Sequence, residues 1–188
     1  MTNDIIHFGK KGKTIILVGA SSAGPAIHLT LSKKLTPQQI QPVKAWLNLG
    51  GILQGSPLID HLQEWPRSWL LQIVVWYKGW EKEALMSMSA EVSRKRFEEL
   101  TLPEHILVVN YLGLSLSGQM SQYSLDKYPI LRSEGPNDGL TLLTDIIAPG
   151  SLTIIAFGSD HFFAEDPEII LKPLLWPKPL SITLKYHA

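Results

Sequence analysis

A run of strand-forming residues, Thr14-Ile-Ile-Leu-Val18, breaks into Gly19-Ala-Ser-Ser-Ala-Gly24 and then continues in a helical pattern. Few local structures accept that order. A strand must end in a sharp turn, the turn must carry a serine, and the flanking residues must be small enough for strand and helix to pack closely. The frame Gly19-x-Ser21-x-Ala23 puts Ser21 first as a candidate nucleophile, and the frame Ala20-x-Ser22-x-Gly24 keeps Ser22 as the alternative. The competing reading of both serines is a helix N-cap pair. The strand is apolar on both faces, which suits an interior place in a parallel sheet.

The rest of the chain alternates in the same way. Residues 22–34 read as a helix with Pro25 in its first turn, where the missing N–H costs little. Residues 43–49 read as a second strand, ended by Gly50-Gly51, so strand, helix and strand form a βαβ unit. Residues 105–111 predict a third strand and 152–157 a fourth. A short helix is expected over 139–147, and another over 164–175 that Pro177 and Pro179 terminate. Residues 57–100 differ in character: they carry Trp65, Trp69, Trp76 and Trp80, followed by a stretch rich in Glu, Lys, Arg, Ala, Leu and Met. They predict two or three helices inserted between strands as a cap. A sharper reading is a lid whose aromatic side chains line an acyl-binding pocket or touch lipid. The expected fold is therefore α/β, a mostly parallel sheet of about four strands with flanking helices and a helical insertion.

Composition excludes several function classes. At 188 residues, one domain is expected, spanning 1–188 with the insertion at 57–100 inside it. Lys plus Arg equals Asp plus Glu at 17 each, so nothing points to a nucleic acid partner. The absence of Cys removes thiolate catalysis and Cys-ligated zinc. There is no His pair at helical spacing and no carboxylate cluster, so neither a metal nor a cofactor is expected. No apolar stretch approaches the roughly 18 residues of a membrane span, and residues 1–13 carry no signal-peptide core, so a cytoplasmic location is expected. Lys33-Lys34 and Arg94-Lys95-Arg96 read as solvated charge.

Serine needs a base within hydrogen-bond reach, and the base needs an orienting acid. Asp138 lies in the turn-forming cluster Glu134-Gly-Pro-Asn-Asp-Gly139, and His161 in Phe157-Gly-Ser-Asp-His161, directly after the fourth strand. Both fall beyond C-terminal strand ends, where open α/β sheets form their sites. Asp138 competes with Asp145, expected on the following helix, and with Asp160, beside His161. It also suits an Asx turn. His161 competes with His28, expected inside the helix after the serines, and with His61, His105 and His187.

In these pieces, in the order Ser, Asp, His, the chain resembles the α/β-hydrolase superfamily, and its lipase- and esterase-like members in particular. The matching segments are Leu17-Val-Gly-Ala-Ser-Ser-Ala-Gly24, Asn48-Leu-Gly-Gly-Ile-Leu-Gln-Gly-Ser-Pro57, Gly135-Pro-Asn-Asp-Gly139 and Gly158-Ser-Asp-His161. The resemblance implies Ser21 as nucleophile, His161 as base, Asp138 as orienting acid and the Ser22 backbone N–H as an oxyanion donor. The substrate it implies is a small-molecule or lipid ester. Ala23 stands where the family motif has its second Gly, a change of one methyl group.

The family places several strands before the serine, and here only 20 residues precede it. Residues 4–13 read as the tail of a helix and its exit loop, so the resemblance is to the C-terminal half of a hydrolase. The strand at 14–18 would then be a sheet edge without a polar face, which predicts self-association or pairing with another chain. The rival function is a non-catalytic remnant or interaction domain without an oxyanion loop.

Overall fold

The computed structural model describes residues 1–63 and 86–163, and four parallel strands organise them. They are β1 (Ile15–Ala20), β2 (Val43–Leu49), β3 (Leu107–Leu114) and β4 (Leu152–Phe157), in the spatial order β1-β2-β3-β4. Leu17 aligns with Trp46 and Trp46 with Val108. One residue on, Val18 aligns with Leu47, Val109 and Leu152. The fold is the α/β arrangement expected from the alternating pattern, and β2 and β4 have the predicted limits.

The helices follow the same chain order: α1 (Thr2–Lys10), α2 (Ala23–Leu29), α3 (Pro37–Ile40), α4 (Pro57–Gln63), α5 (Ala90–Glu98) and α6 (Tyr128–Arg132). Local chemistry sets their ends. Thr36 and Gln39 form a reciprocal capping box at α3, and the Ser89 side chain accepts the Val92 N–H at the start of α5. No described helix is long and apolar enough to cross a membrane.

Strands that follow one another across a sheet in sequence order, each joined by a right-handed crossover, bring their connections to one face. The core lies on that face. Ile27, Leu31, Leu35 and Ile40 pack with Trp46 and Val108, and Leu17 and Phe97 pack against them. The opposite face leaves Val18, Leu107, Leu152 and Ile154 exposed to 41%, 53%, 62% and 41%. The strand at 14–18, read as suited to a sheet interior and also expected as an edge, lies at one edge of the described sheet, beside β2.

Two expectations need correction, and a third needs extending. The helix expected over 22–34 is α2 followed by a π-helical turn, Thr30–Lys34. The helix expected over 139–147 is a single 3₁₀ turn, Leu143–Asp145, because side-chain hydrogen bonds in the turn before it hold the backbone in another course. Arg94 is exposed, as expected of solvated charge, and Arg96 is half-buried, but both also make specific bonds. Arg94 pairs with the buried carboxylate of Asp145 at 2.8 Å, which raises the Arg94 pKa, and Arg96 donates to Ser93 Oγ at 3.1 Å. Lys33 bonds Glu99 at 3.1 Å. The tryptophans of the insertion, the helix expected over 164–175 and His187 lie outside the described residues.

His28 is buried within this core, between the rings of Trp46 (6.1 Å) and Phe97 (5.1 Å), and its Nε2 has no hydrogen-bond partner. Burial, and secondarily the charge of Arg96, lowers its pKa to about 4. The neutral ring is therefore the folded form. An unfolded histidine takes up its proton near pH 6.5, so stability is complete above that pH and falls between pH 6.5 and 4. The expected loss through this residue is at most about 3 kcal/mol. Urea unfolding at pH 7 and pH 4.5 should show the decline, and His28→Leu should flatten it. An unchanged slope in the variant would assign the acid sensitivity to other groups.

Candidate active site

Ser21 sits between β1 and α2 with a backbone φ of +51°. A left-handed serine costs about 1–3 kcal/mol and persists only where its surroundings determine it. Here its N–H donates to the Leu49 carbonyl, and its own carbonyl accepts from the amides of Gly24 and Ile52. The turn is tightly enclosed: a Cβ on Gly24 would lie 2.9 Å from Gly51 Cα and from Asn48 Oδ1. Gly24 is thus required by backbone approach, and a Cβ on Gly19 would meet the Ile27 side chain. Ser22 is the N-cap residue of α2, but its side chain makes no capping bond. The N-cap pair reading fails at that point.

The Ser21 hydroxyl lies 3.0 Å from Nε2 of His161, and Nδ1 of His161 lies 2.7 Å from Oδ2 of Asp138. Asp138 and His161 are buried, at 0% and 5% exposure. The carboxylate accepts at Oδ2, so Nδ1 carries the proton and Nε2 is left to accept from the serine hydroxyl. The network therefore selects one tautomer of the ring.

Asp138 is also held from its other side. Oδ1 accepts the N–H groups of Leu140 and Thr141, each at 2.9 Å. Its backbone donates to the Thr141 carbonyl, and its own carbonyl accepts the His161 N–H at 2.7 Å. The Asx turn and the orienting acid, weighed as rivals in the sequence, coexist: one oxygen forms the turn and the other faces the imidazole. The Thr141 hydroxyl in turn donates to the Gly55 carbonyl at 2.6 Å, and Ser56 Oγ donates to the Leu140 carbonyl. These bonds tie the acid loop to the segment after β2.

Gly50, also at positive φ (+55°), borders the site, and a Cβ there would stand 3.6 Å from His161 Nδ1. The competing acids are engaged elsewhere. Asp145 pairs with Arg94, and Asp160 accepts the amides of Ser121 (2.8 Å) and Phe162 (3.0 Å). Burial pushes the Asp160 pKa up, and the hydrogen bonds led by Ser121 outweigh it, leaving the group below its ordinary value. His28 belongs to the core, His61 to α4, and His105 precedes β3. Among the described residues, no group of three or more His, Asp or Glu side chains suits a metal ion.

No protein-family model matches the chain, and no curated protein is a significant match by sequence. Solved structures do match. A Bacillus licheniformis lipase in its mature form superposes with a TM-score of 0.70 over 92% of this chain and 70% of its own, at 20% identity. The propeptide form of that lipase gives 0.74 over 100% of this chain and 41% of its own, at 18% identity. A metagenomic carboxyl esterase gives 0.65 over 79% and 45%, at 21% identity. The fold is α/β-hydrolase-like. Within an α/β-hydrolase-like fold the C-terminal ends of successive strands face one crevice. Ser21 after β1, Asp138 in the connection after β3 and His161 after β4 meet there.

Sequence reasoning identified those three side chains but missed their supports. Leu140 and Thr141 act through backbone amides, and Gly50 through a side chain it lacks. The turn signal Asn137-Asp138-Gly139 is the only local trace of that cradle.

Proposed function

We propose that the chain is a serine ester hydrolase in which Ser21 is the nucleophile, His161 the general base and acid, and Asp138 the group that orients the imidazole. The observation that carries this reading is the unbroken chain Ser21 Oγ, His161 Nε2, His161 Nδ1, Asp138 Oδ2, anchored on a serine at φ +51°. Strain at a functional serine, with its partners buried, is costly for a turn that only joins a strand to a helix. The lipase and esterase neighbours favour an ester among acyl substrates.

In the acylation step Ser21 Oγ bonds to the carbonyl carbon while His161 Nε2 takes the hydroxyl proton. The imidazolium is stabilised by Asp138, which keeps its charge. The carbonyl oxygen becomes an oxyanion, and the backbone N–H of Ser22 is the donor assigned to it. The bond to the leaving alkoxide then breaks as Nε2 gives it the proton, freeing the alcohol. Water attacks the acyl-serine with His161 again as base, the acid is released, and the Ser21 hydroxyl is restored.

A fluorophosphonate probe tests the reading. Wild-type protein should become labelled, and peptide mapping should place the adduct on Ser21. An adduct on Ser22 would move the nucleophile by one residue. A folded protein that takes up no probe would favour the non-catalytic reading.

A further inference from the structure

The geometry points to a subsite for an apolar alcohol group of the ester, walled by Phe162 and Tyr123. This inference rests on the assignment of Ser21, His161 and Asp138 above. A proton passed from His161 Nε2 to the leaving oxygen has to travel within hydrogen-bond reach, about 2.6–3.2 Å. The alcohol half of the substrate therefore lies against the His161 ring, and what borders that ring meets the alcohol substituent. Phe162 borders it, edge-on at 5.4 Å and 80°. Tyr123 continues the surface, its ring 5.5 Å from that of Phe162. The two aromatics are 52% (Tyr123) and 44% (Phe162) exposed, an apolar wall open to a ligand.

The wall is built from two separate loops, and one buried group joins them. Asp160, 3% exposed, accepts the Phe162 N–H at Oδ1 and the Ser121 N–H at Oδ2. A buried carboxylate is tolerated where such bonds satisfy it. This one fixes the chain on both sides of the aromatic pair, next to the imidazole. The role of Asp160 is thus to position the wall, and Asp138 alone faces His161.

Two ester series separate the alcohol from the acyl half: acetates of methanol, butanol, hexanol and octanol, and methyl esters of the matching acids. Both are assayed below the concentration at which the ester aggregates. Wild-type kcat/KM should rise at least about tenfold from methyl to octyl acetate, since a few buried methylenes readily supply that factor. Tyr123→Ser should remove most of the rise, lowering kcat/KM for octyl acetate far more than for methyl acetate, and Tyr123→Phe should retain it. A flat alcohol series in a wild-type protein that labels at Ser21, or a rise untouched by Tyr123→Ser, would overturn the subsite. A loss confined to the methyl ester series would assign the wall to the acyl group. A rise that appears only with aggregated ester or vesicles would assign it to a lipid surface. Failure of Ser21 labelling in wild type is a different result: it removes the catalytic reading and the subsite together.

Discussion

Ser21→Ala is expected to lower kcat for a short ester by about 10⁶-fold, the scale on which loss of a serine nucleophile removes a complete relay. The side chain is small and half-buried, and the Ser21 backbone bonds to Leu49, Gly24 and Ile52 do not depend on the hydroxyl. Alanine also inherits the left-handed φ of +51° without a hydroxyl to bond locally, so a slight fall in melting temperature should accompany the lost activity. Steady-state rates and a thermal melt on the same preparation separate the two effects. Retention of more than about a tenth of the wild-type kcat in Ser21→Ala would rule out Ser21 as nucleophile. Ser22→Ala keeps the backbone amide and should still label at Ser21.

Asp138→Asn tests the other end of the relay, with an expected loss of about 10⁴-fold in kcat. The carboxamide oxygen can still accept the amides of Leu140 and Thr141, so the turn is preserved. Its NH₂ group then faces His161 Nδ1, which lies 2.7 Å from the carboxylate in the wild type. A donor there requires Nδ1 to accept, which shifts the ring proton to Nε2. Nε2 then presents a hydrogen to the Ser21 hydroxyl and cannot take its proton. A near-native melting temperature with the activity lost would mark the effect as one of tautomer. An active Asp138→Asn enzyme would show that His161 is oriented by something else.

Much of this site was legible in the chain because its signals are local. A strand running into Gly19-Ala-Ser-Ser-Ala-Gly24 needs small residues wherever strand and helix approach, and Gly24 meets Gly51 and Asn48 for that reason. His161 follows β4 after one short turn, so strand end and side chain are placed together. What was misread depended on distant partners. The ion pair of the exposed Arg94 went unseen because its partner, Asp145, is far along the chain and buried in another loop. The helix expected over 139–147 gave way to a 3₁₀ turn because Asn137 and Asp138 spend their side chains on the amides of Gly139, Leu140 and Thr141. The joint wall of Tyr123 and Phe162 had no local signature, since Asp160 joins the two loops across nearly 40 residues.

The sequence by itself determined the alternation of strands and helices, the parallel order that follows from it, and the identities of Ser21, Asp138 and His161 as candidates. Each of these depends on residue type and spacing within a few positions of the backbone. Only the tertiary structure brings the Ser21 hydroxyl, on a left-handed turn, within 3.0 Å of His161 Nε2, a contact that the sequence frames of Ser21 and Ser22 left open. It also decided that one oxygen of Asp138 serves its turn while the other serves the imidazole. Those choices depend on distances between groups 23 and 140 residues apart, which are set by packing of the strand ends and by no property of either residue alone.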